Sequence, residues 1–201
     1  MRILIVPTIR EIYKNQFEHC VDFRLINFLK KIFLKSTIEI YNFTIKNNYD
    51  LVVFAGGNNS IINTNSDKIR NDINKKIYKF SIKNNIKMLG ICHGFHFLAK
   101  KNGFKIKKKK NHIGNHIVNF EFKKKKFKKI VNSYHNEIIE NKRKKMINVF
   151  GLAEDNTVEA FHIKDKKILG IMWHPERYKK LKYFDKDLIK KFYATNNIIC
   201  R

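Results

Sequence analysis

The chain contains a cysteine whose neighbours favour nucleophilic chemistry. Cys92 has Gly90 two positions before it and Gly94 two positions after it. An apolar, strand-like run over 86–91 precedes the cysteine, and a helix-like run over 95–101 follows it. This is the arrangement of a nucleophile elbow with cysteine in place of serine, in which small neighbours leave room for a sharp strand-to-helix turn. A helix N-terminus beside the sulfur favours the thiolate, which is the nucleophilic form.

A candidate base for this cysteine lies far downstream, where residues 170–176 end in His-Pro-Glu. A cysteine nucleophile needs a base, and the base needs a group that orients it. In an extended segment His174 and Glu176 point to the same side, and Pro175 biases the histidine towards extended backbone. We therefore predict a Cys92–His174–Glu176 triad, recognised by role and chain order, that works without a metal or an organic cofactor.

Four motifs together resemble the class I glutamine amidotransferases and, within that group, the stand-alone γ-glutamyl hydrolases. The motifs are Ala55-Gly56-Gly57-Asn58, Gly90-Ile91-Cys92-His93-Gly94, Asn132-Ser133-Tyr134-His135 and His174-Pro175-Glu176. The resemblance implies a flavodoxin-like α/β/α three-layer sandwich with a mixed, mainly parallel central sheet. It also implies hydrolysis of a γ-glutamyl amide through a glutamyl thioester, with glutamate and an amine or amidate as products.

A narrower resemblance concerns the substrate. The stretches 131–136 and 171–177 resemble bacterial members associated with capsule or surface-polysaccharide synthesis, such as hydrolases of γ-glutamyl-CDP-amidate. The implied partner is therefore a small γ-glutamyl compound, which in this narrower case is nucleotide-linked and anionic.

The resemblance also implies roles for residues around the triad. The N–H groups of Gly57 and of His93, the residue after the nucleophile, would stabilise the oxyanion, with Gly56 and Asn58 in the same loop. Contacts to the ends of the glutamyl group are expected from Ser133, Tyr134 and His135. For His135, a surface imidazole without such a contact is an equal alternative.

The chain departs from the pattern of the family in three ways. Many members have Gln at the positions of His96 and Glu137, and an Asp near the double glycine where Asn58 and Asn59 stand here. Exchanging neutral amides for ionisable groups changes which polar groups of a substrate can be satisfied, at about 1–3 kcal/mol for each unmatched group. Hydrolysis of free glutamine is therefore in doubt.

The length predicts one domain over residues 1–201. The high positive charge resembles that of nucleic-acid-binding proteins, but the rest of the sequence does not support that function. The formal net charge is +26, with lysine runs at 107–110 and 123–126. Lysine is spread along the whole chain, and no nucleic-acid fold signature accompanies it, so nucleic-acid binding is disfavoured. A compositional bias of the coding sequence explains the charge, and steering of an anionic small substrate is a functional alternative.

The order of apolar runs predicts the fold class. Strand-like runs at 2–6, 38–43, 50–55 and 86–91 alternate with helical runs at 21–34, 67–84 and 95–101. This alternation is typical of a parallel sheet with helices on both faces. Later strand-like runs at 113–122, 127–134, 146–152, 158–163 and 168–173 predict a mixed or antiparallel extension, with a hairpin turn at 154–156. A final helix is expected to begin at Asp185 as its N-cap.

Cysteine usage and the apolar runs bear on compartment. The three cysteines show neither a disulfide framework nor the spacing of metal ligands. We expect Cys20 in a loop or early helix and Cys200 at a frayed terminus, and the third is Cys92. The apolar run at the start is too short for a signal peptide, and no run approaches the roughly 20 apolar residues of a membrane span. We therefore expect a cytoplasmic protein without a membrane partner.

Two rival functions, and a third more remote one, remain open at the level of sequence. The first is an ammonia-supplying glutaminase subunit, which shares the triad but needs a synthetase partner. The second is a non-catalytic regulatory module, and the third is a cysteine peptidase or chaperone-like protein of similar fold. The sequence does not indicate an oligomeric state.

Overall fold

The computed structural model describes residues 1–46, 48–58, 61, 63–109, 112–122, 125–141 and 147–195. Within these ranges the helices are α1 (Phe23–Ile32), α2 (Asn65–Lys83), α3 (His93–Lys101) and α4 (Tyr183–Thr195), with a 3₁₀ turn at Pro175–Arg177. The strands are β1 (Arg2–Val6), β2 (Thr8–Tyr13), β3 (Gln16–Cys20), β4 (Thr37–Ile40), β5 (Leu51–Phe54), β6 (Lys87–Ile91), β7 (Ile106–Lys108), β8 (Ile113–Phe122), β9 (Lys125–Tyr134), β10 (Glu137–Ile139), β11 (Asn148–Ala153), β12 (Val158–Ile163) and β13 (Ile168–Ile171).

The central sheet is mixed, as the sequence predicts. Its nine strands run in the order β4-β1-β5-β6-β13-β12-β11-β8-β9. Neighbours from β4 to β13 pair in parallel, and neighbours from β13 to β9 pair antiparallel. Strands β5, β12 and β13 are buried at every position, which is typical of strands covered on both faces. Because β5, β6 and β13 are parallel neighbours, their carboxyl ends meet at one edge of the sheet.

Helices cover both faces of this sheet. The connection from β1 through α1 to β4 moves towards one sheet edge, whereas that from β5 through α2 to β6 moves the other way. Because such crossovers are right-handed, α1 and α2 lie on opposite faces. Contacts between the Tyr78 and Phe97 rings join α2 to α3, and contacts between Phe33 and Tyr193 join the end of α1 to α4. The result is the predicted flavodoxin-like α/β/α sandwich.

One early segment differs from the expectation. Strands β2 and β3 form an antiparallel hairpin after β1, so Cys20 ends a strand and the expected loop or early helix there is wrong. Most of β2 is exposed, and a strand with little buried surface lacks the apolar alternation by which strands are recognised. Cys200 lies outside the described residues. No helix in the described ranges combines the length and the apolar character that crossing a membrane requires.

Asp185 lies inside α4 and does not cap it, so the predicted N-cap is wrong. Its carboxylate is 2% exposed and accepts a hydrogen bond from Trp173 Nε1 at 3.0 Å. Burial outweighs this hydrogen bond and raises the pKa of Asp185 from 3.8 to about 6. The Asp185 carboxylate thus joins α4 to the segment after β13, and its ionised form lowers the free energy of unfolding.

This burial predicts how stability depends on pH. A raised pKa in the folded state means that the folded protein binds the proton more tightly, so stability falls as pH rises from about 4 to about 6. Relative to Asp185→Asn, the wild-type protein should lose up to about 3 kcal/mol of unfolding free energy across that window. Urea unfolding of both proteins at several pH values measures the difference, and parallel pH curves would contradict it.

Candidate active site

Cys92 stands at a strained turn between β6 and α3. Its backbone angles are φ 50° and ψ −102°, which a residue with a side chain rarely adopts. A side chain on Gly94 would overlap the carbonyl of Phe54, and one on Gly90 would come within 2.6 Å of the Gly94 backbone. The two glycines therefore allow the close packing of β5, β6 and α3 that aims Cys92 away from the sheet, as expected for a nucleophile elbow.

Strand pairing brings the histidine to the cysteine. Strands β6 and β13 are parallel neighbours with Ile91 opposite Ile171, and the Cys92 N–H donates to the Ile171 carbonyl at 3.0 Å. His174 follows three residues after Ile171. Cys92 and His174 line the same cavity, and His174 Nδ1 lies 2.5 Å from Glu176 Oε1. Strand pairing thus brings Cys92 near His174, and the His174 ring is paired with the Glu176 carboxylate.

The backbone between His174 and Glu176 differs from the expectation. Pro175–Arg177 forms a 3₁₀ turn, so the segment is not extended through the glutamate. The turn brings the carboxylate back under the imidazole over a separation of two residues. The extended-strand argument for a shared side is therefore wrong, although the predicted contact between the two side chains is present.

The partners of His174 set its charge. The ring is buried, and burial alone lowers its pKa. The neighbouring Cys92 and Glu176 groups act in the opposite direction and raise the pKa of His174 to about 9. His174 therefore carries a positive charge at neutral pH, next to the carboxylate of Glu176.

The amide of Asn132 holds the backbone of His174 from a distant strand. Asn132 Oδ1 accepts from the His174 N–H at 2.8 Å, and its Nδ2 donates to the His174 carbonyl at 2.9 Å. Asn132 lies near the end of β9, so this pair ties the far edge of the sheet to the segment after β13. The residue belongs to one of the four sequence motifs, but the sequence alone indicates no role for it.

The glycine loop after β5 is organised around a buried guanidinium. Arg70 Nη2 donates to the Ala55 carbonyl at 2.5 Å, and Nη1 lies 3.0 Å and 2.6 Å from the carbonyls of Gly56 and Gly57. Nη1 is also within 3.1 Å of Thr8 Oγ1 and of Asn58 Oδ1. Since a peptide N–H points opposite to its carbonyl, these bonds turn the N–H groups of the loop away from Arg70.

Arg70 remains a cation in this setting. Burial lowers its pKa to about 9, which is still above neutral pH, and the charges of Cys92 and Asp67 act against the lowering. A capping box between Thr64 and Asp67 fixes the start of α2, the helix that carries Arg70. Asp72, two residues along the same helix, pairs with Lys75 on the surface.

Gly56 makes room for the imidazole of the triad. A Cβ atom at this position would lie 2.5 Å from His174 Cε1 and 3.3 Å from Nε2. Gly56 therefore acts by close packing against the ring, while its carbonyl accepts from Thr8 and Arg70. This position carries no side chain because one would displace the imidazole.

These residues open onto a cavity of about 1060 Å³. Cys92 and His174 lie in its wall together with most of the predicted substrate-side residues, namely Gly57, Asn58, His93, His96, Tyr134 and His135. Ser133 is placed differently, since its hydroxyl is buried and donates to the carbonyl of His112. The Ser133 hydroxyl therefore supports the backbone behind the cavity, and its expected contact with a substrate stays a prediction.

Neutral imidazoles line the inner part of the cavity. Burial lowers the pKa of His96 to about 3 and that of His135 to about 4. His135 is 6% exposed, so the surface-imidazole alternative is excluded. Glu137, at a position where the family often has Gln, also lines the cavity, and its Oε1 accepts from the Ile61 N–H at 2.9 Å. Asn59 lies outside the described residues.

Comparison with known proteins identifies the family of this chain. The family described as "Glutamine amidotransferase class-I" matches residues 16–195. A protein named "Gamma-glutamyl-CDP-amidate hydrolase" from Campylobacter jejuni is 51% identical over 67 residues, which are 33% of this chain and 31% of that protein. The matched stretch thus spans about a third of that relative's length.

Solved structures agree with the fold. A putative GMP synthase subunit from Thermoplasma acidophilum has a TM-score of 0.69 at 20% identity, covering 96% of this chain and 92% of that one. A glutamine amidotransferase from Thermotoga maritima has a TM-score of 0.67 at 17% identity, covering 94% and 81%. At these identities the likeness shows the fold, whereas the family match covers most of the sequence. The chain belongs to the class I glutamine amidotransferase family.

Proposed function

We propose that this chain, as a single glutamine amidotransferase-like domain, is a cytoplasmic cysteine hydrolase that cleaves a γ-glutamyl amide. The observation that carries the proposal is the His174–Glu176 pair, which lies in the same cavity wall as Cys92 at its strained elbow. Family membership supports a γ-glutamyl amide as the class of substrate.

The chemistry follows from the charges in this chain of residues. The Cys92 thiolate attacks the γ-carbonyl carbon, and the His174 imidazolium gives its proton to the departing nitrogen. The resulting glutamyl thioester is then attacked by water, whose proton His174 accepts, and glutamate leaves as Cys92 is regenerated. Glu176 keeps the ring in one tautomer throughout by bonding to Nδ1. These steps need no metal ion or organic cofactor.

The oxyanion of each tetrahedral intermediate needs donors close to Cys92. We assign this role to the N–H groups of Gly57 and His93. Arg70 supports the first, because it holds the Gly56 carbonyl and so turns the Gly57 N–H outward. The position of His93 at the start of α3 supports the second, because the first N–H groups of a helix have no partner within the helix.

The cavity supports an anionic leaving group. Its volume of about 1060 Å³ lies at the upper end of the usual range of roughly 300–1,000 Å³ for ligand pockets. Lys108, Lys109 and Arg177 lie in its wall, and the Arg177 guanidinium stacks 4.5 Å from the centre of the Tyr134 ring. An arginine guanidinium can donate two parallel hydrogen bonds to the oxygens of one phosphate group. Together with the name of the Campylobacter jejuni relative, this supports a nucleotide-linked γ-glutamyl amidate used in capsule or surface-polysaccharide synthesis.

A substrate panel tests the proposal. The purified chain is incubated separately with glutamine, a γ-glutamyl alkylamine and γ-glutamyl-CDP-amidate, and glutamate and the second product are measured by mass spectrometry. We expect the highest kcat/KM for the amidate. Arg177→Gln should lower that value about tenfold or more, as loss of a charged hydrogen bond predicts, and should change the alkylamine value little. Arg24→Gln, a change on the exposed face of α1, is the matched control.

The outcomes separate the rival functions. Release of glutamate from none of the substrates would overturn the proposal. Activity with glutamine that appears only when a synthetase is added would favour the ammonia-supplying role. Failure of a thiol reagent to modify Cys92 near neutral pH would favour the regulatory module.

The charge of His174 predicts the alkaline limb of the pH profile. Its pKa is raised to about 9, so the proton that it gives to the leaving nitrogen is present at neutral pH and is lost as pH rises through about 9. We expect kcat/KM to fall with a midpoint near pH 9. Glu176→Gln removes one cause of the raised pKa and should move this midpoint down. A midpoint near 6.5 in the wild-type protein would contradict the prediction.

A further inference from the structure

A cluster of buried imidazoles and one carboxylate lies behind the cavity wall. His112 immediately precedes β8, His116 lies on β8, His135 lies between β9 and β10, and Glu159 lies on β12. The ring centres of His112 and His135 are 5.3 Å apart, and those of His112 and His116 are 5.4 Å apart. One ligand-type atom each from His112, His135 and Glu159 lies within 4.8 Å of the other two.

The atoms of this cluster that could bind a metal ion are buried. His112 Nδ1 and His135 Nε2 are buried without a hydrogen-bond partner among the described residues. Glu159 is 1% exposed, with Oε1 3.9 Å from His135 Nε2 and Oε2 3.4 Å from His116 Nε2. A buried carboxylate and two buried ring nitrogens without partners are costly to maintain, unless something neutralises them.

The opposite nitrogen of each of the two imidazoles is already fixed. His112 Nε2 lies 2.7 Å from Asp155 Oδ2, and His135 Nδ1 lies 2.8 Å from the carbonyl of Glu137. Histidines that bind metals typically donate their second N–H to a carboxylate or a backbone carbonyl, which selects the tautomer with a lone pair towards the metal. Both arrangements occur here, so Nδ1 of His112 and Nε2 of His135 are set as acceptors.

We propose that His112, His135 and Glu159 bind a divalent transition-metal ion of the zinc class, with His116 beside the fourth coordination position. Two imidazoles and one carboxylate form a ligand set that suits zinc and its first-row neighbours, and not Mg²⁺ or Ca²⁺, which prefer oxygen ligands. Bonds of about 2.0–2.2 Å need the ligand atoms to approach one another to roughly 3.4 Å. Small side-chain rotations close that gap from the present separations.

The ion would have a structural role. It would join the start of β8, the β9–β10 junction and β12, which lie far apart in the sequence. His135 belongs to both the cluster and the cavity wall, so the ion would stiffen the side of the cavity that carries Tyr134 and His135. It takes no part in the bond-breaking steps assigned to Cys92 and His174.

Metal content tests this inference without reference to turnover. The untagged full chain carries Cys92→Ala, so that the thiolate cannot bind metal, and is stripped with a chelator, exposed to Zn²⁺ and desalted. We expect about one zinc per chain by elemental analysis, a higher melting temperature with Zn²⁺ but not with Mg²⁺, and with Co²⁺ a visible spectrum of four-coordinate nitrogen and oxygen ligation.

Variants decide where the ion binds. Glu159→Gln, which preserves volume, and His112→Gln, made separately, should each lose most of the zinc and the thermal shift while keeping the far-UV circular dichroism of a folded chain. His162→Gln, a buried histidine three residues along β12 from Glu159, is the control and should keep the zinc. Fewer than about 0.2 zinc per chain in the parent would overturn the site, and so would Glu159→Gln and His112→Gln variants that keep as much zinc as the parent. Either result would leave the proposed hydrolase activity unaffected, since no readout depends on turnover.

Discussion

Cys92→Ala is expected to lower kcat/KM for a γ-glutamyl amide by roughly 10⁴-fold or more, as the loss of a covalent nucleophile does in triad enzymes. The reason is chemical, because the variant lacks the sulfur that forms the thioester while the oxyanion donors and the cavity remain. Alanine is no larger than cysteine and occupies the same backbone position, so the fold should be retained. Steady-state kinetics and circular dichroism of the same preparation measure both expectations.

The control for this prediction is Cys20→Ala. Cys20 is partly buried at the end of β3 and forms no disulfide, so its loss should leave kcat/KM within about twofold. In the unaltered protein, acid quenching during turnover should trap a glutamyl group on Cys92, visible as a mass increase of a single peptide. Activity in Cys92→Ala within tenfold of wild type would end the proposed mechanism.

Arg70→Met is expected to have the second-largest effect, on both stability and catalysis. The guanidinium is fully buried and donates to the carbonyls of Ala55, Gly56 and Gly57. Methionine fills part of the volume but leaves these carbonyls without donors, at a cost of about 3–5 kcal/mol in unfolding free energy. Because the loop would no longer be held with the Gly57 N–H outward, kcat should fall by roughly 10²–10³-fold.

The two effects of Arg70→Met can be separated. Urea unfolding gives the stability change, and kinetics well below the unfolding transition give the change in kcat and KM. Arg70 is a positioning residue, so loss of oxyanion stabilisation should appear in kcat more than in KM. Arg24→Met, on an exposed part of α1, should change stability by less than about 0.5 kcal/mol. An Arg70→Met protein with wild-type kcat would exclude the positioning role.

The sequence predicts the elbow well because its determinants are local. Two glycines at fixed spacing around Cys92, an apolar strand before it and a helix after it require only neighbouring residues to be read. The pairing of His174 with Glu176 is also a local feature, and the sequence predicts it even though the backbone between them forms a turn. Strands with continuous apolar runs, such as β5 and β13, are recognisable for the same reason.

The parts that the sequence does not predict depend on contacts between distant segments. Nothing near Asn132 indicates that its amide would hold the backbone of His174, since the two lie far apart in the chain and in different parts of the sheet. The cluster around Glu159 likewise comes from three separate segments, and none of its spacings resembles a metal-binding motif. The hairpin of β2 and β3 escapes prediction because exposed strands carry no apolar alternation.

The position of β9 at the edge of the sheet has a consequence for association between molecules. An edge strand offers unpaired backbone groups to which a second molecule can add a strand, which is a common start of aggregation. The first half of β9 carries four exposed lysines, whose like charges repel an identical strand. They are Lys125, Lys126, Lys128 and Lys129. Near its other end the Asn132 N–H is already bonded to the Tyr178 hydroxyl at 3.1 Å. Fibril-like stacking through this edge is therefore opposed by charge at one end and by an internal hydrogen bond at the other.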